Sequence, residues 1–95
     1  MPMPYDDDRA LVRGMLAGDE QAFDLFFQTS AAGLYRFAVT RLDRDGDAAE
    51  EVVQATLSAA IRKLATYRGE AALFTWQCTF CRPEISAHYR RLRRR

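Results

Sequence analysis

Apolar residues recur along the chain at spacings of three and four, the period of an amphipathic helix, and no strand pattern is visible. Leu11 and Met15 stand four apart behind Asp6, Asp7 and Asp8. Those aspartates can cap a helix and favour its positive N-terminal end. The pattern predicts a first helix running to about Ala17, with Gly18 as its stop and Asp19 as the next N-cap. On a wheel of ~100° per residue, Phe26, Phe27, Ser30, Leu34, Phe37 and Ala38 all fall within about 60° of Phe23. One long second helix is therefore expected over 20–42, weakened locally at Gly33. Asp43-Arg44-Asp45-Gly46-Asp47 reads as a turn, with Asp47 as an N-cap.

The third helix, about 48–65, is the most informative. Ala49, Val52, Val53, Thr56, Leu57, Ala60 and Leu64 form one wide apolar face. The opposite face carries Glu51, Gln54, Ala55, Ser58 and Arg62. Alanine and serine give it a low profile that admits another helix closely; its plainer reading is an ordinary solvated face. Tyr67-Arg68-Gly69-Glu70 lies in a loop, and a fourth helix is expected from about Leu73 to the end. Its core stripe is Phe74, Cys78, Cys81, Ile85, Tyr89 and Leu92. Trp76, Phe80, Pro83, Ala87, Arg90 and Arg94 fall on the other face. Aromatics on a basic face suit the stacking of unpaired bases. The alternative is that Trp76 and Phe80 pack under the loop 65–72. Pro83 removes a backbone donor and clashes with the carbonyl of Thr79, which predicts a kink or break near 80–83, or a helix restarted with Pro83 in its first turn.

Composition narrows the class. Ninety-five residues make one small domain with one modest core, which excludes a TIM barrel or a full dinucleotide-binding domain. Hydrophobic residues are 48% and charged residues 28%, too apolar for a disordered chain. Few glycines and prolines interrupt the interior, which favours an all-α fold. No run approaches the length of a membrane span, and the acidic start, Met1 to Asp8, lacks the apolar stretch of a secretory signal. Two cysteines without such a signal argue for a reducing cytosol.

The net charge of +1 conceals a segregation. Residues 1–81 carry eight basic and twelve acidic side chains, a balance of −4. Residues 82–95 carry six arginines against one glutamate, a balance of +5. Arginine has a planar fork suited to phosphates and base edges, so an anionic partner is implied, nucleic acid first. A solubilising tail would give the same composition.

Enzymatic chemistry finds no constellation. There is one histidine, and no nucleophile elbow, phosphate loop or dinucleotide loop. Cys78 and Cys81 with His88 offer half of a zinc site or a redox pair, but a closed structural site needs four ligands, and free cysteine is more often core. Asp43, Asp45 and Asp47 imitate the start of a calcium loop, yet Gln54 stands at its twelfth position. No cofactor or metal is expected.

The order of residues also resembles a family. Leu11-Val12-Arg13, Ala17-Gly18-Asp19, Ala22-Phe23 and Leu34-Tyr35-Arg36-Phe37-Ala38 resemble the start of region 2 of bacterial extracytoplasmic-function (ECF) sigma factors. Asp47-Ala48-Ala49-Glu50-Glu51-Val52-Val53-Gln54-Ala55-Thr56 is similar to that family's D-x-A-E-D-L-V-Q-E-T, and Arg62-Lys63-Leu64 to its R-K-L. Tyr67-Arg68-Gly69-Glu70-Ala71, then Phe74-Thr75-Trp76, resembles F-R-G-E-A followed by T-W. The likeness runs over about residues 9–95.

The resemblance implies an all-helical domain of about four helices with a long antiparallel hairpin, over 1–95. A lead-in, 1–5, would be disordered, 90–95 would begin a basic linker, and no region 4 domain is expected in the chain. It implies a cytoplasmic transcription initiation factor domain that binds core RNA polymerase and opens the promoter −10 element. Glu51, Gln54, Ala55, Ser58 and Arg62 would dock on the β′ coiled coil. Tyr67, Arg68, Gly69, Glu70, Trp76 and Phe80 would capture and hold the melted non-template strand, with Arg82, His88, Arg90 and Arg91 along the basic helix. An anti-sigma protein covering these faces is a further implied partner.

The departures are specific. Ala55 replaces an acid on the docking face, and Leu57 and Ile61 replace aromatics. Cys81-Arg82-Pro83 stands for A-R-N, and Ala87 for Asp. Those last changes favour an alternative: a helical interaction domain of the same fold that has lost DNA binding. A metal- or redox-responsive switch on Cys78, Cys81 and His88 is the other alternative.

Overall fold

Each of the four apolar stripes becomes a helix. The computed structural model describes residues 4–94. Helices α1 (Asp6–Leu16), α2 (Glu20–Val39), α3 (Gly46–Arg62) and α4 (Leu73–Arg93) follow in order, with a short 3-10 turn, Leu64–Thr66, after α3. There is no strand among the described residues. Residues 1–3 of the expected lead-in and the last residue of the expected linker lie outside the described residues. Arg90 to Arg93 continue α4.

The hinge between α1 and α2 follows the sequence. Gly18 takes a positive φ of 84° and stops α1. Asp19 then caps α2 by accepting from the Gln21 N–H at 2.9 Å. The caps of α1 and α3 differ from expectation. Tyr5, at φ 62°, holds the N-cap position of α1 and makes no side-chain cap, while the three aspartates lie inside the first turn. Asp45, not Asp47, caps α3, accepting from the Ala48 N–H at 3.1 Å. The chain leaves α2 earlier than expected, at Val39, and turns through Asp43 and Arg44, both at positive φ. That turn points Asp45 at the helix start and puts Asp47 in the first turn of α3.

Asp8 does cap a helix, but a distant one. Its Oδ2 accepts from the Leu73 N–H at 2.8 Å, at the start of α4. Ala72, the local N-cap residue, has no side chain able to do this.

The expected inner face of α3 is buried throughout: Ala49, Val52, Val53, Thr56, Leu57, Ala60 and Leu64. It packs against α2 and α4, and α1 closes over α2 and the 3-10 turn. The centre of the expected α2 stripe holds, at Phe26, Ser30, Leu34 and Ala38, and its edges shift. Ala22, Phe26, Ser30, Leu34 and Ala38 are buried, whereas Phe27 is exposed and Phe23 and Phe37 are half-buried. In α4, Leu73, Gln77, Cys78 and Cys81 are buried, Ile85 and Tyr89 are half-buried, and Phe74 and Leu92 are exposed. Phe74 lies across α2 at Gly33, where an added Cβ would stand 2.8 Å from its ring.

Gln77 is 1% exposed, and its Nε2 donates to Ser30 Oγ at 2.9 Å. Its Oε1 has no hydrogen-bond partner. Cys78 and Cys81 are free and buried, and burial pushes both thiols above their ordinary 9.0. Cys81 lies beside the Thr56 hydroxyl, which counters that rise. The folded state therefore holds the thiol protons more tightly than the unfolded chain. Stability from this source is present below pH 9.0 and is lost as pH rises through the folded values.

The expected break at Pro83 is absent; α4 runs through it. Pro83 and Thr79 are both exposed, so the carbonyl that loses its N–H partner lies on the wet side. The Thr79 hydroxyl bonds back to the Trp76 carbonyl at 2.5 Å.

Three outcomes are expected. Asp8→Ala should lower stability in urea unfolding by about 1 kcal/mol, while Asp7→Ala, which holds no cap, should change it by a few tenths. Pro83→Ala should raise stability, by up to about 3 kcal/mol, because it restores a donor on an exposed helix face. At about pH 8.5 both thiols should alkylate more slowly in the folded protein than in urea.

Candidate functional site

Several clefts open where these helices meet. One of about 500 Å³ lies between α2 and α3. Ala31, Ala32, Tyr35 and Arg36 line one wall, and Glu50, Val53, Gln54 and Leu57 the other. The α3 wall is a stripe of spacing three and four, adjacent to the stripe Glu51, Gln54, Ala55, Ser58 and Arg62 expected from sequence. Gln54 belongs to both, so it joins the groove to the outer face. Glu51, Gln54, Ser58 and Arg62 are exposed and Ala55 is half-buried. Sequence reasoning missed the α2 wall and Glu50, and treated Val53 and Leu57 as core alone. The signals were present in the paired small residues Ala31-Ala32 and in Tyr35-Arg36, the latter within the family-like segment.

A second cleft, about 280 Å³, is lined by Thr66, Arg68, Glu70, Ala71, Thr75, Trp76 and Thr79. It brings together Arg68, Glu70 and Trp76 of the expected nucleic-acid residues. Tyr67 stands edge-on to Trp76 at 5.4 Å, and Trp76 edge-on to Phe80 at 4.8 Å. All three rings are half-buried. Trp76 and Phe80 thus form the roof of the core beneath Tyr67 and still reach solvent, which combines the two readings offered by the sequence. The Tyr67 hydroxyl donates to the Ala71 carbonyl at 2.7 Å, closing the loop on itself. Burial, then the Asp8 carboxylate, pushes the Tyr67 hydroxyl above 10.0. It stays a neutral donor at any working pH.

Arg68 and Glu70 face each other at 3.4 Å with side chains 80% and 75% exposed. Such a pair contributes little to stability and exchanges readily for another ion. Gly69 sits between them at φ 72°, beneath the stem of Arg9. An added Cβ would collide with that stem, so glycine is needed for conformation and for space together. Thr66, Ala71, Thr75 and Thr79 are cleft residues that sequence reasoning missed. Thr75 and Thr79, four apart on α4, were the available signal.

The remaining basic residues lie elsewhere. Arg82 stands over the Phe37 ring at 5.3 Å, which Arg41 also covers at 3.7 Å. His88 meets the Tyr89 ring edge-on at 5.6 Å, and the Tyr89 hydroxyl donates to the Arg41 carbonyl at 2.8 Å. Arg90 and Arg91 are exposed near the end of α4. The structure therefore brings Tyr67, Arg68, Gly69, Glu70, Trp76 and Phe80 together and leaves Arg82, His88, Arg90 and Arg91 along the helix.

No group of three His, Cys, Asp or Glu side chains among the described residues is placed to hold a metal ion. Cys78 and Cys81 face the core, and His88 stands seven residues past Cys81 on one helix, about 10 Å along its axis. Those three residues do not converge on one point. No helix among the described residues is long and apolar enough to cross a membrane.

Comparison with known proteins agrees with this architecture. The chain is 38% identical over 72 residues to the ECF RNA polymerase sigma-E factor of Haemophilus influenzae, covering 73% of this chain and 35% of that protein. It is 34% identical over 77 residues to the RNA polymerase sigma-H factor of Pseudomonas aeruginosa, covering 78% of this chain and 38% of that protein. The matches thus cover little more than a third of the length of these curated relatives. No solved structure matches the chain. The family described as Sigma-70 region 2 matches residues 26–95, which takes in both the α2–α3 groove and the loop leading into α4. By that match and those relatives, the chain belongs to the sigma-70 region 2 family, in its ECF branch.

Proposed function

We propose that this chain is a transcription initiation module, not an enzyme, that docks on core RNA polymerase through α2 and α3 and holds melted −10 DNA through the loop 66–72 and α4. The observation that carries this reading is the α2–α3 groove. It is a long, mostly apolar trough with Glu50, Gln54 and Arg36 at its edges. A trough between two helices with a polar rim suits a helical partner, in the manner of helix-in-groove recognition. The β′ coiled coil is such a partner. Membership of the family makes it the first candidate.

The second surface is chemically different. An aromatic ladder beside a small cleft offers ring faces and hydrogen-bonding groups to an extruded base, and arginines offer charge to phosphates. In this reading Arg68 and Glu70 release each other when DNA arrives, since their pairing is exposed. An anti-sigma protein would act by covering both surfaces. The second reading, an interaction domain without DNA binding, rests on Pro83 and Ala87 in the outer half of α4. Salt-dependent binding of single-stranded −10 DNA separates the two, because a pure interaction domain shows none.

The test is binding to the isolated β′ coiled-coil fragment. Wild type should bind, Gln54→Ala should weaken binding about tenfold, and Glu51→Arg should abolish it. No binding by wild type at low salt would overturn the reading.

A further inference from the structure

We propose that Arg9, Arg13 and Arg68 form a phosphate-binding cleft between α1 and the loop, extending the path of single-stranded DNA beyond α4. This rests on the reading that the loop 66–72 handles DNA. The cleft measures about 220 Å³ and is lined by Arg9, Val12, Arg13, Leu16, Tyr67 and Arg68. Apart from its guanidiniums it is walled by apolar groups.

Ion pairing among the described residues does not account for the arginine charges on α1. Arg9 and Arg13 stand four apart on one face of α1, where like charges repel. Among the described residues, neither has a carboxylate within ion-pair distance. This is notable in a stretch, residues 1–81, that carries an excess of acid. Asp8, the acid next to Arg9 in sequence, spends Oδ2 on the Leu73 N–H. The one carboxylate that pairs with a cleft arginine, Glu70, does so at 3.4 Å in open solvent.

The three arginines differ in mobility. Arg9 is held: one terminal nitrogen donates to the Arg68 and Gly69 carbonyls at 3.4 and 3.5 Å, and its stem lies over Gly69. A guanidinium has five N–H donors, so others stay available to an anion. Arg13 and Arg68 are exposed and can swing in. A fixed cation flanked by two adaptable ones suits a phosphodiester, which presents two free oxygens and no base-specific pattern.

Continuity assigns the ligand. Arg68 lines this cleft and also the one containing Trp76. The two clefts therefore share a wall, and a strand leaving the Trp76 cleft past Arg68 enters the cleft of Arg9 and Arg13. An acidic protein segment is the rival occupant.

Fluorescence anisotropy of a short fluorescein-labelled single-stranded DNA of mixed sequence, titrated with salt, tests this. The full chain is compared with Arg13→Ala and Arg13→Lys. Arg13 is exposed, so an unchanged urea midpoint is expected and is checked. Arg13→Ala should weaken binding several-fold, equally on strands of different sequence, and reduce the slope of log K against log salt by about 0.7. Arg13→Lys should restore most of the slope. If wild type binds and Arg13→Ala matches it in affinity and slope, the cleft is not a phosphate site, while the proposed DNA reading stands. A weaker Arg13→Ala with an unchanged slope also overturns the proposal, since no phosphate contact was lost. If wild type binds no single strand at low salt, both fall.

Discussion

Burial of one face of α3 is the constraint on which the rest depends. That face is built from small and medium residues, with Ala49, Thr56 and Ala60 fully buried. Small side chains let α2 and α4 approach closely from either side. The one hydroxyl on the face, Thr56, is satisfied by the Val52 carbonyl at 2.7 Å, so it adds no unpaired polar group. A core of this size leaves little margin, and each large residue within it contributes ~1.5–3 kcal/mol. With α3 committed inward, the residues left outside form a narrow stripe beside the α2 seam. The groove opens where Ala31 and Ala32 leave the α2 side of that seam low, with Tyr35 and Arg36 further along it.

Helix α1 plays a different part. It adds little to the central core, with Val12 and Met15 buried, yet it reaches across the whole chain. Asp8 caps α4 and Arg9 packs on Gly69, both more than fifty residues away. Between the 3-10 turn and α4 the backbone has no regular structure of its own. Its order comes from Asp8 at one end, Arg9 in the middle and the Tyr67–Ala71 hydrogen bond inside. A loop held this way enters binding with less entropy to lose. The acidic start that looked like a local cap is therefore a strap on the loop proposed to hold DNA.

Helical periodicity made the four elements and the inner face of α3 legible, because seven residues at consistent spacing outvote any single misplacement. Caps were less legible. Asp43, Asp45 and Asp47 are chemically equivalent candidates, and only the path of the turn through two positive-φ residues selects Asp45. The α2 stripe was drawn around its aromatics. It holds at Phe26, Ser30, Leu34 and Ala38, but Phe27 is exposed while Ala22, left out of it, is buried. A small residue such as Ala22 admits a neighbouring helix, and hydrophobicity alone ranks it too low. The outer face of α3 was readable as a surface. The groove was not, since a groove belongs to two helices and its second wall lies some twenty residues earlier. Arg9 over Gly69 was invisible for the same reason.

Pro83 shows how position can limit the damage a proline does to a helix. In a helix interior facing the core it would leave a buried carbonyl without a partner. Here it faces solvent, and the residues that matter to packing lie on the other side of α4. The second half of α4 is also steadied by the C-terminal end of α2 and the turn after it. Arg82 and Arg41 both lie over the Phe37 ring, and the Tyr89 hydroxyl donates to the Arg41 carbonyl. The C-terminal end of α2 and its turn therefore set where the terminal arginines lie. A proline that weakens the helix ladder at one exposed point leaves that attachment intact, because none of the attaching groups uses the lost hydrogen bond.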